Sequence, residues 1–170
     1  MMAGKTRSRA YWWWFAAAIG WMIVIFVKSA ESYQDQDMRP FFRDLIPEEV
    51  IVKWVPQVEF TYDGGLVTWR EPYDFVEFFI RKGAHMAEFG ILVFLFIRMF
   101  LARRLPYLRT VLLASALSVL YAASDEWHQS FVPNRTGHAI DVAVDTLGIL
   151  LVVTVYSAVR FLRRRGRTGT

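Results

Sequence analysis

Long apolar runs alternate with polar stretches along this chain, and the runs are longer than the core helices of a small soluble domain require. Tyr11 to Val27 is seventeen residues without a charge, preceded by Lys5, Arg7 and Arg9. The run lacks a small-x-small site at its end, and Lys28-Ser29-Ala30-Glu31 follows, so it reads as a retained first helix rather than a cleaved signal. Phe75 to Leu101 forms a second block, uncharged from Phe89 to Ile97. Val111 to Ser124 forms a third, which Leu105, Tyr107 and Leu108 can extend, and a fourth runs from near His138 to Leu162. A membrane-crossing helix needs roughly 20 predominantly apolar residues. The pattern predicts an all-α membrane protein: a four-transmembrane-helix bundle with spans near 11–27, 75–101, 105–124 and 139–162 in one domain.

The first and second spans are joined by a polar segment, residues 28–74, punctuated by Pro40, Pro47, Pro56 and Pro72. Phe41 to Trp54 predicts one short amphipathic helix. Val58 to Tyr62 alternates, Asp63-Gly64-Gly65 turns, and Leu66 to Trp69 alternates again, the signature of a β-hairpin. A lone hairpin is marginal in water, so it is expected to pack on the bundle.

Composition sharpens this picture. The 170 residues are 55% hydrophobic yet 21% charged, so apolar and charged residues must be segregated. There is no cysteine, which excludes disulfides, thiolate metal sites and thiol catalysis. The net charge of +4 does not point to nucleic acid, because the basic residues mark one side of the bundle. The N-terminus, the connection holding Arg98, Arg103, Arg104 and Arg109, and the tail with Arg160, Arg163, Arg164, Arg165 and Arg167 carry no acidic residue. The segment from Lys28 to Asp74 holds 10 acidic and 5 basic residues. The positive-inside rule therefore places both termini in the cytoplasm of a multi-pass cell-membrane protein, with residues 28–74 outside, and the aromatic run Trp12-Trp13-Trp14 at the cytoplasmic interface. Membrane lipids are the expected surroundings, and the basic tails suit anionic head groups.

Ionisable residues inside or beside spans are costly and usually line a cavity or the bundle interior. The second span carries Glu77, Arg81, His85 and Glu88 on one helical face, with Lys82 at its edge. The fourth carries His138, Asp141 and Asp145 on one face, and the end of the third supplies Asp125, Glu126, His128 and Gln129. Lys82 and Arg135 are the expected cationic partners of Asp125, Asp141 or Asp145. Gly20, Gly90 and Gly148 are expected as helix contact points.

Three blocks carry a resemblance: Arg81-Lys82-Gly83-Ala84-His85-Met86-Ala87-Glu88-Phe89, Ser124-Asp125-Glu126-Trp127-His128-Gln129-Ser130-Phe131-Val132-Pro133-Asn134-Arg135, and Asp141-Val142-Ala143-Val144-Asp145-Thr146-Leu147-Gly148. Together and in this order they resemble the signature blocks of the VanZ-like family. The resemblance covers the chain from the second span to the fourth. It transfers Lys82, His85 and Glu88, then Asp125, Glu126, His128, Gln129, Phe131, Pro133 and Arg135, then Asp141, Asp145 and Gly148. His138 and Glu77 are not among the transferred positions. The family's namesake is associated with low-level resistance to the glycopeptide teicoplanin in Gram-positive bacteria, which the resemblance implies as the setting.

The polar set supports three readings. The favoured one is a pocket facing the extracytoplasmic leaflet, formed by Lys82, His85, Glu88, Asp125, Glu126, His128, Gln129, Arg135, Asp141 and Asp145. It would bind a phospholipid head, a lipid-linked cell-wall precursor or a lipidated glycopeptide without a cofactor, since arginine pairs bidentately with phosphate or carboxylate. The second reading is an enzyme acting on a lipid-linked substrate, either acid/base with His85, Glu88, Asp125 and His128 as candidates, or metal-dependent with His85, Glu88 and His128 as ligands. The third is polar glue between helices in a scaffold or lipid-transport protein. Transport through only four spans without an internal repeat would require a homodimer.

Overall fold

The computed structural model describes residues 2–133 and 135–168; Asn134, within the second block, lies outside them. In chain order the elements are α1 (Met2–Ser29), α2 (Arg39–Leu45), α3 (Glu48–Trp54), β1 (Glu59–Tyr62), β2 (Gly65–Thr68), α4 (Pro72–Ala102), α5 (Tyr107–Gln129) and α6 (Ala139–Thr168). Four of the helices contain stretches long and apolar enough to span a bilayer: Arg9–Ser29, Pro72–Ala102, Tyr107–Gln129 and Ala139–Gly166. The chain is a multi-pass, all-α membrane protein with one small two-stranded sheet.

α4 is the central helix and packs against α1, α5 and α6. Its Phe89, Leu92, Val93 and Ile97 are fully buried. In lipid no hydrophobic force drives helices together, so close packing and small residues must do so. α5 meets that need with Thr110, Ala114, Ser118 and Ala122, a fully buried stripe at every fourth position. α4 and α6, which run in the same direction, touch at two glycines. A Cβ on Gly148 would lie 2.1 Å from the Met86 carbonyl oxygen, and one on Gly90 would lie 3.0 Å from Val152. Gly20 has nothing within 4 Å of a Cβ, so it is not the helix contact expected of it.

The link from α4 to α5 is four residues long, with Arg104 in the left-handed region (φ 61°) and Pro106 just before the new helix. Pro106 forces Leu105 out of helical geometry, so the third span starts at Tyr107 rather than at 105. At its other end α5 continues through Asp125 to Gln129, five residues past the expected limit of 124. The arginines of this end pack on aromatic rings: Arg103 over Tyr11 at 4.0 Å, Arg98 over Trp14 at 4.8 Å and Arg160 over Tyr107 at 4.6 Å.

At the opposite end sits the inserted segment. The single helix expected over 41–54 is instead two, because Pro47 holds Ile46 extended (φ −130°, ψ 116°) and breaks the helix between them. The hairpin forms as expected, with Glu59 opposite Thr68 and Tyr62 opposite Gly65. Its two-residue turn is Asp63-Gly64, at φ 48° and 80°, the left-handed pair that matches the twist of adjoining strands. Ile51 of α3 and Val55 just after it, with Tyr73 and Phe75 of α4, make a second small core, against which Phe42, Ile46, Phe60, Val67, Trp69 and Val76 pack. Arg39 pins the segment to the start of α4, donating to Asp37 at 2.7 and 2.8 Å and to Asp74 at 2.7 Å.

Candidate functional site

The parallel run of α4 and α6 sets polar residues opposite one another, one turn after another. Lys82 donates to Asp141 at 2.5 Å. One turn deeper, His85 Nδ1 stands 3.8 Å from Asp145 Oδ1, too far for a hydrogen bond. Deeper still is the contact of Gly148 with the Met86 carbonyl. The glycine therefore fixes how closely the charged pairs above it can approach.

The continuation of α5 brings a third wall. Asp125, Glu126 and Gln129 are buried there, and Gln129 Nε2 donates to Asp125 at 2.8 Å. The backbone N–H of His138 donates to Glu126 Oε2 at 3.0 Å, tying the start of α6 to α5. That approach requires Gly137, where a Cβ would lie 2.0 Å from the Glu126 carbonyl oxygen. The ligand atoms of His85, Glu126 and Asp145 lie within 4.8 Å of one another.

Arg135 does not pair with a carboxylate as expected. Its Nη1 donates to the backbone carbonyls of Ser29 and Glu31, each at 3.1 Å, and so clamps the end of α1. None of the ion pairs among the described residues involves it. Burial, and then the nearby Arg81 guanidinium, push its pKa below the usual arginine value. Arg81 pairs with Glu77 at 3.4 Å and lies 4.3 Å from the Tyr33 ring centroid.

The hairpin roofs this set. The Tyr62 hydroxyl donates to Asp141, and Asp63 at the turn pairs with the His138 imidazole. Lys82 Nζ lies 4.7 Å from the Tyr62 ring centroid. Burial, and then the bond to Asp141, raise the Tyr62 pKa, so its hydroxyl stays a donor. Beneath the roof is a cavity of about 720 Å³, walled by Phe75, Phe78, Arg81 and Lys82 of α4, the hairpin, and Arg135, Thr136, His138 and Asp141. A smaller cavity of about 290 Å³ lies toward α1, lined by Lys28, Gln36, Glu88 and Asp125 among others. Arg81, His85 and Arg135 line both.

Not every sequence candidate converges. Glu88 turns to α1, where it accepts from Lys28 at 2.8 Å, and His128 stacks on Phe26 with ring centroids 4.4 Å apart. The set His85, Glu88 and His128 is therefore spread over the α1 side, while His85 converges with Glu126 and Asp145. No hydrogen bond joins Asp125 to His128, so the acid/base pair is not preassembled. Conversely, Tyr33, Tyr62 and Gly137 belong to the site although no sequence signal singled them out. Only the alternation of the hairpin hinted that Tyr62 shares a face with Phe60.

A family profile described as VanZ/LLP1 matches residues 14–161, most of the chain. No curated protein matches the chain. No solved structure matches it either.

Proposed function

The chain belongs to the VanZ/LLP1 family, and from that premise we propose that its cavity binds the anionic head group of an amphiphile in the outer leaflet of the bacterial cell membrane, both termini being cytoplasmic. The observation that carries this reading is the pair of guanidiniums, Arg81 and Arg135, at the wall shared by the two cavities, with Arg135 bonded only to neutral carbonyls. Arg135 is half-buried with no carboxylate of the described residues in direct contact, Asp125, Glu126 and Glu31 acting on it only from a distance, and the Arg81 guanidinium beside it adds repulsion. A phosphate or carboxylate between them relieves both and meets the geometry that guanidinium recognises best.

The aromatic walls extend the fit. Tyr33, Tyr62, Phe75 and Phe78 offer flat surfaces for a sugar or the first part of a lipid chain. A cavity of about 720 Å³ is within the ordinary range for small-molecule sites. A lipid-linked cell-wall precursor, a phospholipid head and a lipidated glycopeptide share this chemistry: an anion on an amphiphile at the outer surface. Sequestering or masking such a molecule is how the protein would contribute to glycopeptide resistance, teicoplanin included. Thermal unfolding in mild detergent tests the reading. Undecaprenyl diphosphate should raise the midpoint where phosphatidylcholine does not, and equal shifts from both would refute head-group selectivity.

A further inference from the structure

Beneath the cavity lies a buried cluster that head-group binding does not use. Asp145 is fully buried, and neither of its carboxylate oxygens has a hydrogen-bond partner. It faces His85, whose Nδ1 is also unpartnered, at 3.8 Å. Glu126, 5% exposed, completes the group. One Glu126 oxygen is held by the His138 N–H at 3.0 Å, while the other has only Gln129 Nε2 at 3.5 Å. The cations nearby are engaged elsewhere: Lys82 on Asp141, Arg81 on Glu77, and Arg135 on the end of α1. A buried carboxylate without any donor, set beside a second buried carboxylate with few, is a heavy electrostatic cost in a low-dielectric bundle.

We propose that His85, Glu126 and Asp145 bind one divalent transition-metal cation at the inner wall of the cavity. Two carboxylates neutralise a dication, so the charge that is costly alone becomes the site's source of affinity. One imidazole nitrogen with two carboxylate oxygens suits zinc, manganese or ferrous iron, and the cysteine-free chain offers no thiolate for softer ions. The backbone bond from His138 acts as an outer support, orienting the Glu126 carboxylate. Entry is from the cavities, since the His85 side chain is 24% exposed and lines both. The remaining coordination positions are left to water or to an anion in the cavity. The proposal stands independently of head-group binding, because it rests on the unpartnered Asp145 carboxylate and His85 Nδ1 beside Glu126, and not on the arginines.

The test uses the full chain in detergent, stripped with chelator and titrated separately with Zn²⁺ and Mn²⁺, with metal content read by mass spectrometry and affinity by calorimetry. The expected result is about one ion per chain. Asp145→Asn, which keeps the side chain's shape, and His85→Gln should each weaken binding by at least about tenfold, since losing even an outer partner of a ligand costs 10–100-fold. Glu59→Gln on the exposed hairpin should not change it. His85 reaches solvent, so its variant remains informative if Asp145→Asn fails to fold. Absence of stoichiometric binding of either ion, or binding as tight in both variants as in the parent chain, would overturn the proposal.

Discussion

Lys82 and Asp141 meet at 2.5 Å across two parallel helices, and the Tyr62 hydroxyl from the hairpin tip donates to the same carboxylate. One aspartate thus joins α4, α6 and the roof of the cavity. Its side chain is 14% exposed and that of Lys82 23%, so the pair is neither fully wet nor fully buried. Removing either partner should cost between the ~1 kcal/mol of an exposed pair and the roughly 3–5 kcal/mol of a buried one. Thermal unfolding of Lys82→Gln, Asp141→Asn and the double variant should show strong coupling. Strictly additive losses would mean that the pair does not act as a unit.

Gly148 holds the close approach of α4 and α6. Valine there would drive its Cβ into the Met86 carbonyl, 2.1 Å away, and must push the helices apart. The expected loss is about 1–3 kcal/mol or more, because the obstacle is backbone rather than a flexible side chain. Gly20→Ala, with nothing within 4 Å, should be neutral or mildly stabilising. Equal midpoints for the two variants would contradict the packing described.

Arg39 holds the Asp37 carboxyl at about 2, chiefly by a side-chain hydrogen bond. A carboxyl depressed in the folded state contributes stability that is complete above its unfolded value of about 3.9 and is lost as pH falls through its folded value. Attachment of residues 31–45 to α4 should therefore survive to about pH 4 and loosen only toward pH 2. In Arg39→Gln the loosening should begin at higher pH. Cleavage of this segment by pepsin, compared between the two proteins at each pH, reads it; coincident profiles would show that Arg39 does not hold the segment.

The absence of cysteine makes topology easy to read by single-cysteine labelling. Ser130→Cys, exposed beside the cavity, should react with an impermeant maleimide added to intact cells. Gly166→Cys, exposed near the end of α6, should react only after the cells are opened. The reverse pattern would invert the proposed orientation.

Much of this was legible in the sequence, for physical reasons. Spans are read from apolar length, and Asp63-Gly64 announces a hairpin because few residues other than glycine, asparagine and aspartate enter the left-handed region easily. Lys82, Asp141 and Asp145 were legible because charge inside a span needs a purpose. What escaped depends on contacts far apart in sequence. Tyr62 reaches Asp141 across 79 positions, and Arg135 reaches Ser29 across 106. Spacing along one helix put His85 and Glu88 on a common face, yet helix rotation sends Glu88 to Lys28 and His85 toward Asp145. Pro47 is visible in the sequence, and its restriction on Ile46 is what divides the helix expected over 41–54.

Native mass spectrometry of the purified chain, offered equal amounts of undecaprenyl diphosphate and phosphatidylcholine, tests the central claim most directly. The account predicts an adduct of the anionic lipid that weakens by about tenfold or more in Arg135→Gln and in Arg81→Gln, as loss of a charge-assisted hydrogen bond requires. It predicts no change in Arg70→Gln, whose side chain is 73% exposed on the hairpin side. Adducts of both lipids in equal amount, or an anionic adduct undiminished in both cavity variants, would contradict it.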